Sequence, residues 1–182
     1  EGCATVLETG EGVRTVKKGD LVVMHWRPGA GIQSETPVYR RNGRPVNAGW
    51  VTTFNDHAIV SENRVTPIPA DFDPKLAPLF GCAVTTAMGV INNNAQVRVG
   101  QSVAVFGVGG VGLCALKMAD LMLAHPIIAV DLLDDKLQFA KQFGATHLVN
   151  ASKVDAVQTI IDITKGGADF VFDAIGVRKT ME

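Results

Sequence analysis

The feature that most constrains this fold is a glycine-rich turn at residues 107–112, Gly-Val-Gly-Gly-Val-Gly. The turn follows an apolar run with the length of a buried strand and precedes a sequence typical of a helix, which is the order of a dinucleotide-binding unit. Its first glycine would allow a tight turn, its second a close approach of backbone to a pyrophosphate, and its third close packing of helix on strand. The phosphates would bind the unpaired amides at the helix N-terminus. The residues predicted to bind the dinucleotide here are Gly107, Val108, Gly109, Gly110, Val111 and Gly112.

An aspartate closes the next buried strand. Residues 127–131 read Ile-Ile-Ala-Val-Asp, and Asp131 lies nineteen residues beyond Gly112. A carboxylate at this place can accept hydrogen bonds from both ribose hydroxyls and repels a 2′-phosphate. The sequence therefore predicts NAD rather than NADP as the cofactor.

Beyond residue 95 the chain alternates strictly between strand and helix patterns. This alternation predicts βαβ units with right-handed crossovers, and hence an α/β fold with a Rossmann-type parallel sheet. One helix has a further signal, because Ser152 and Asp155 are spaced as a capping box and Val154, Val157, Ile160 and Ile161 would share its buried face. The predicted strands are 102–106, 127–131, 147–150 and 168–173, and the predicted helices are roughly 110–124, 134–143 and 153–164.

The first 70 residues have a different character, with short β patterns separated by glycine turns. Residues 27–48 form a long loop in which Asn42-Gly43 could close a small hairpin. A helix is predicted to begin at Asp73-Pro74 and to run on to about Ile91. We therefore predict two domains, a mainly-β domain at 1–80 and a Rossmann domain at 81–182. The β patterns lie at 4–8, 13–16, 21–24, 50–54 and 57–60.

Composition argues against several classes of protein. Seventeen basic and eighteen acidic residues give a net charge of −1, without the basic block expected of a protein that binds nucleic acid or a charged membrane. Charges interrupt the apolar stretch at 111–133, and no signal-peptide pattern begins the sequence. The three widely spaced cysteines form neither a disulfide framework nor a zinc knuckle. These features predict a soluble, cytoplasmic protein whose partner is a small molecule.

Four segments, taken in order, resemble the zinc-dependent medium-chain alcohol dehydrogenases. They are Glu1-Gly2, residues 13–20, Gly81-Cys82-Ala83-Val84-Thr85-Thr86 and the turn at 107–112. The sequence is most similar to the class III branch, the S-(hydroxymethyl)glutathione dehydrogenases, over all residues except 27–48. The resemblance implies that the mainly-β domain is a GroES-like catalytic domain. It also implies a catalytic zinc that polarises an alcohol oxygen while a hydride passes to NAD.

The resemblance assigns roles on the catalytic side. It makes Cys82 a ligand of the catalytic zinc, Glu1 a carboxylate beside another zinc ligand, and Thr86 a contact of the nicotinamide. Trp26 would form a wall of the substrate pocket. Each has a simpler interpretation when taken alone: a packed cysteine, a terminal charge, a surface threonine and a core tryptophan.

The resemblance also assigns roles on the nucleotide side. It makes Asp131 the ribose-binding carboxylate and Lys136 a lysine that reaches the same ribose, although a lone Lys136 would be a solvated helix charge. Leu132 and Ile175 would sandwich the adenine, with ordinary packing at the strand ends as the alternative. The four histidines match no ligand position, so we expect hydrogen-bonded or exposed imidazoles.

The sequence departs from the family pattern in three places. It begins at Glu1, just after the position of the family's histidine ligand, and it ends at Glu182, shortly after the fourth predicted strand. We therefore expect a fragment that is inactive by itself, with an open strand edge that makes it prone to aggregation or dependent on a partner. Residues 27–48 lack the four cysteines that many relatives carry, so we expect no structural zinc. The full-length protein is expected to be a homo-oligomer, as relatives are.

The leading hypothesis is a zinc-dependent oxidoreductase that transfers a hydride between NAD(H) and an alcohol, or a hemithioacetal-type adduct. One alternative is the zinc-free quinone reductase branch of the same superfamily, which prefers NADPH. Cys82 and Asp131 argue against that branch, which lacks the thiolate and usually replaces the carboxylate. The other alternative is a non-catalytic NAD(H)-binding module.

Overall fold

The computed structural model describes residues 1–181, with only the backbone described at Lys179. The chain divides into two compact units, one of residues 1–82 and one from Ala83 onward. No helix among the described residues is long and apolar enough to cross a membrane.

The first unit is built on a three-stranded antiparallel sheet in the order β1-β2-β5. The central strand β2 supplies the buried residues Val22, Val23 and Met24. A separate hairpin, β3–β4, turns at Asn42-Gly43, where φ is +51° and +75°. These positive values are those of a type I′ turn, so the predicted hairpin is confirmed. The strands are β1 (Gly2–Thr5), β2 (Leu21–Met24), β3 (Val38–Arg41), β4 (Arg44–Asn47) and β5 (Val65–Pro67).

The predicted strands at 13–16, 50–54 and 57–60 are wrong. Residues 13–16 are an irregular segment, because the amides of Arg14 and Thr15 both donate at 2.7 Å to Oε1 of Glu62 instead of entering a sheet ladder. Glu62 lies in a short 3₁₀ helix, Glu62–Arg64. The Glu62 carboxylate, distant in sequence, thus accepts hydrogen bonds from these two backbone amides. The local sequence pattern instead suggested that the amides would pair with a neighbouring strand.

The single helix predicted from Asp73 to about Ile91 is also wrong, because it breaks at Cys82. At this residue φ is −145° and ψ is −69°, outside the helical region. The preceding Gly81 is pressed against the rest of the first unit, since a Cβ there would lie 2.6 Å from Glu1 Cγ and 3.0 Å from the Met24 carbonyl oxygen. Packing therefore overrides local helix propensity. The three pieces are a 3₁₀ helix (Ala77–Gly81), α1 (Ala83–Met88) and a π-helical turn (Gly89–Asn94).

The second unit is a four-stranded parallel sheet in the order β8-β7-β6-β9, with helices between the strands. This confirms the predicted α/β, Rossmann-type fold. The strands are β6 (Val103–Phe106), β7 (Ile127–Asp131), β8 (His147–Asn150) and β9 (Phe170–Asp173). The helices are α2 (Gly110–Leu121), α3 (Asp134–Ala140), which continues as a 3₁₀ turn (Lys141–Phe143), α4 (Ala156–Thr164) and α5 (Arg178–Met181).

The sheet of the second unit is covered on both faces. Val103 and Val105 of β6 pack in one apolar cluster with Leu116 of α2, whereas Ala104 packs in the other with Ile160 of α4. Successive side chains of a strand point to opposite faces, so both faces are buried. Because all four strands are parallel, their carboxyl ends lie at the same edge of the sheet.

The predicted start of α4 is wrong. The helix begins after Asp155, whose carboxylate accepts a hydrogen bond of 3.0 Å from the amide of Gln158. Ser152 lies outside the helix, and its hydroxyl donates to Asn150. Of the four apolar residues predicted to share the buried face, Ile160 alone is buried, and Val157 remains 63% exposed.

Candidate functional site

The glycine-rich turn lies at the carboxyl end of β6, the second strand from the β9 edge of the sheet. Gly107 has φ +87°, a conformation that favours glycine, and a Cβ there would lie 2.5 Å from Cγ1 of Ile175. A Cβ on Gly112 would overlap the carbonyl oxygen of Gly107. The turn therefore requires glycine at both positions. Gly107 is required by its backbone conformation, and Gly112 is required because α2 lies so close to the turn.

The middle of the turn is open. Apart from the adjoining residues and the backbone of α2, no heavy atom of the described residues lies within 4 Å of a Cβ built on Gly109 or Gly110. Gly109 is the N-cap of α2, no side chain caps it, and the first amides of a helix have no intrahelical partner. Open space beside such amides, at the positive end of the helix dipole, fits an anionic group such as a diphosphate.

Asp131 joins the end of β7 to this turn. Its Oδ2 accepts a hydrogen bond of 3.0 Å from the amide of Val108, and its Oδ1 accepts from the amides of Leu132 at 2.8 Å and Leu133 at 3.2 Å. Two carboxylate oxygens offer about four acceptor sites, so roughly one remains for a ligand.

The charge of Asp131 is maintained by its surroundings. Burial is the largest single influence and raises the pKa, but the amides of Val108, Leu133 and Leu132 and the nearby Lys136 ammonium together outweigh it and hold the pKa below its ordinary value. The carboxylate is therefore ionised at neutral pH. Lys136 is exposed on the first turns of α3.

Two exposed apolar side chains stand at the same edge of the sheet. Leu132, just beyond β7, is 61% exposed, and Ile175, just beyond β9, is 46% exposed. Asp173 holds Ile175 in place, because its Oδ1 accepts from the amides of Ile175 at 2.8 Å and Gly176 at 3.2 Å. Exposed apolar residues of this kind suit a flat aromatic group such as adenine.

The residues assigned to the catalytic side belong to other elements of the chain. Cys82 ends the 3₁₀ helix of the first unit and is half-buried. The Glu1 side chain lies against Gly81, the residue that precedes Cys82. Trp26 is 59% exposed, with the Arg27 guanidinium 5.9 Å from its ring centroid. Thr86 is exposed on α1.

The histidines are hydrogen-bonded or exposed. Nδ1 of His25 lies 2.7 Å from the Arg27 carbonyl oxygen, and its Nε2 lies 2.9 Å from Thr66 Oγ1. His57, His125 and His147 lie at exposed or half-buried positions. Within residues 1–181, no three histidine, cysteine, aspartate or glutamate side chains converge on a point that could hold a metal ion. The described part of the chain thus does not fit a zinc ion by itself.

Some residues of this edge escape prediction from the sequence. The backbone donor at Val108 carries no side-chain signal, and the hydrogen bonds of Asp173 depend on a turn that follows the strand. Asn150, at the end of β8, lies beside Asp131 in the parallel register and binds the start of α3. A polar residue closing a buried strand is the one signal that could have drawn attention to Asp173 and Asn150.

Residues 110–182 match the protein family described as zinc-binding dehydrogenase. The chain is 34% identical to an S-(hydroxymethyl)glutathione dehydrogenase of Photobacterium damsela subsp. piscicida, over 97% of this chain and 55% of that protein. The chain spans about half the length of the curated relatives it matches.

The chain is also similar to solved structures of proteins with related names. An alcohol dehydrogenase zinc-binding domain protein from Burkholderia ambifaria superposes with a TM-score of 0.89 at 29% identity, over 99% of this chain and 56% of that one. A benzyl alcohol dehydrogenase from Acinetobacter calcoaceticus superposes with a TM-score of 0.81 at 28% identity, over 100% and 56% of the two chains.

Proposed function

The chain belongs to the zinc-binding dehydrogenase family, and we propose that it is part of an oxidoreductase that transfers a hydride between NAD(H) and an alcohol or a hemithioacetal-type adduct. In this proposal residues 81–182 bind the dinucleotide and residues 1–80 belong to a GroES-like catalytic domain. The observation that carries the proposal is the open turn at Gly109 and Gly110, held to an ionised Asp131 through the amide of Val108.

The diphosphate of the dinucleotide would bind the first amides of α2, where Gly109 and Gly110 leave room for it. When bound, the nicotinamide ring supplies the chemistry by accepting or delivering the hydride. The glycine-rich turn contributes the placement of that ring by fixing the diphosphate.

The adenosine ribose would bind Asp131 through the acceptor site that the three backbone amides leave on its carboxylate. One ribose hydroxyl donates to this site, and the Lys136 ammonium donates to the oxygen of the other. This division refines the simpler expectation that Asp131 accepts both hydroxyls. The ionised carboxylate also repels a 2′-phosphate, so the proposal names NAD rather than NADP. Leu132 and Ile175 would bind the two faces of the adenine.

The proposed catalytic residues are few in this chain. Cys82 is the proposed contribution of this chain to a zinc centre, with Glu1 beside it and Thr86 near the nicotinamide. By themselves, residues 1–181 do not fit a metal ion, so Cys82 alone would not hold the zinc. The proposed substrate class rests on the alcohol and S-(hydroxymethyl)glutathione dehydrogenases that the chain is similar to.

Titration of the 182-residue chain with NADH, followed by nicotinamide fluorescence, tests the cofactor half of the proposal. We expect saturable binding of NADH and much weaker binding of NADPH. Absence of NADH binding by the folded chain would refute the proposal. Tighter binding of NADPH would instead favour the quinone reductase alternative.

A further inference from the structure

Asn150 links three segments at the carboxyl edge of the sheet. Its Nδ2 donates a hydrogen bond of 2.7 Å to Oδ1 of Asp134, the first residue of α3. Its Oδ1 accepts from Ser152, at 2.6 Å from the hydroxyl and 2.9 Å from the amide. All the hydrogen-bonding atoms of this side chain except one amide hydrogen are therefore used.

Asp134 is held from a second direction as well. The Lys153 ammonium pairs with Oδ2 of Asp134, while Asn150 binds Oδ1. The Lys153 ammonium and then the Asn150 amide lower the pKa of Asp134 below its ordinary value, so the carboxylate is ionised at neutral pH. The start of α3 is thus bound by the last residue of β8 and by a residue just beyond that strand.

These contacts determine the path of residues 131–134. At one end of this segment Asp131 is bound to the Val108 amide, and at the other end Asp134 is bound to Asn150 and Lys153. Between them Leu132 and Leu133 are 61% and 55% exposed, so little core packing holds them. Hydrogen bonds at the two ends, together with those from the amides of Leu132 and Leu133 to Asp131, therefore position this segment more than core packing does.

We propose that Asn150 is a positioning residue for the adenosine end of the dinucleotide, acting through Asp134 to hold Asp131 and Leu132 where ribose and adenine bind. This inference rests on the proposed function, because it assumes that residues 131–132 bind the nucleotide. It adds a residue from β8 to a site whose other members lie at or just beyond the carboxyl ends of β6, β7 and β9.

The first test is Asn150→Ala in the 182-residue chain, with adenosine diphosphoribose binding measured by calorimetry and NADH and NADPH binding by fluorescence. We expect adenosine diphosphoribose to bind about tenfold more weakly, the loss typical when a hydrogen bond to a charged partner is removed. The preference for NADH over NADPH should fall as well, because the Asp131 carboxylate is held less firmly. A purely structural role would lower the unfolding temperature without changing that preference.

A charge exchange provides a second test that does not depend on the alanine variant. Asn150→Asp places two carboxylates together and should weaken nucleotide binding. The double variant Asn150→Asp with Asp134→Asn restores the hydrogen bond with donor and acceptor reversed, and should recover adenosine diphosphoribose affinity to within about threefold of the wild type. Asn92→Ala is the matched control, since Asn92 is exposed on the π-helical turn and donates to Asn93 at 2.9 Å.

The outcomes separate the two proposals. If the wild-type chain binds adenosine diphosphoribose and Asn150→Ala binds it equally well with the same NADH preference, this inference is overturned and the proposed function stands. Failure of the double variant to recover binding would also overturn it. If the folded wild-type chain binds neither NADH nor adenosine diphosphoribose, the proposed function itself fails.

Discussion

The backbone amide of Val108 donates a hydrogen bond of 3.0 Å to Oδ2 of Asp131, which joins the glycine-rich turn to the end of the neighbouring strand. The residue proposed to bind the ribose thus also supports the backbone proposed to bind the diphosphate. Substitution at Asp131 should therefore affect both parts of the dinucleotide site.

Asp131→Asn should weaken NADH binding by at least about tenfold, because it removes the charge and places an amide group among backbone donors. The affinity ratio of NADH to NADPH should fall, since the repulsion of a 2′-phosphate is lost. Fluorescence titration with both nucleotides measures the effect. Asp162→Asn is the control, because Asp162 is an exposed α4 residue that accepts from Gln158 at 2.8 Å. An unchanged affinity ratio would contradict the role of Asp131.

Leu132→Ala should weaken NADH binding by about fivefold, because roughly half of a leucine side chain loses its contact with the adenine. Stability should change little, since Leu132 is 61% exposed. Leu121→Ala makes a matched control, because Leu121 is 62% exposed at the end of α2. Equal affinities of the two variants would show that Leu132 does not contact the nucleotide.

Gly112→Ala should destabilise the chain by about 3 kcal/mol, because the new methyl group overlaps the Gly107 carbonyl oxygen and forces α2 away from the turn. Gly110→Ala should stay within about 1 kcal/mol of the wild type, since its methyl group enters open space at the start of a helix. Urea unfolding followed by circular dichroism compares the two variants. Similar midpoints of the two variants would show that α2 does not pack closely on the turn at Gly112.

Glu62 should make the stability of the first unit depend on acid pH. The amides of Arg14, Ile32 and Thr15 lower its pKa from 4.5 to about 2, despite the opposing effect of burial. Because the pKa is lower in the folded state, the stabilisation is fully present above about pH 4.5 and is lost as the pH falls through about 2.

Glu62→Gln should therefore be less stable than the wild type at neutral pH, and the difference should shrink as the pH falls from 4.5 toward 2. Thermal unfolding across this pH range measures the difference. The exposed Glu8, changed to glutamine, serves as the control on the same unit. A difference in stability between Glu62→Gln and the wild type that stays constant with pH would refute the role of the Glu62 carboxylate in this pH dependence.

Most of the second unit could be predicted from the sequence. Strand lengths, the glycine spacing and the aspartate at the end of β7 are local signals, because buried strands are apolar throughout and a tight turn requires glycine. The first unit was harder to predict. Its residues 13–16 have the composition of a strand, yet their amides bind Glu62, 47 and 48 residues away. Such long-range partners leave no periodic signal.

The sequence by itself determined the kind of unit that residues 102–131 form, since the strand runs directly into the turn and Asp131 closes the next apolar run. Only the tertiary structure decided which side chains support that unit. Asp155 rather than Ser152 caps α4, Ile175 packs over Gly107, and Asn150 binds Asp134. The physical reason is that element type follows from local steric and hydrophobic patterns, whereas hydrogen-bond partners at the sheet edge are set by which strands the fold brings side by side.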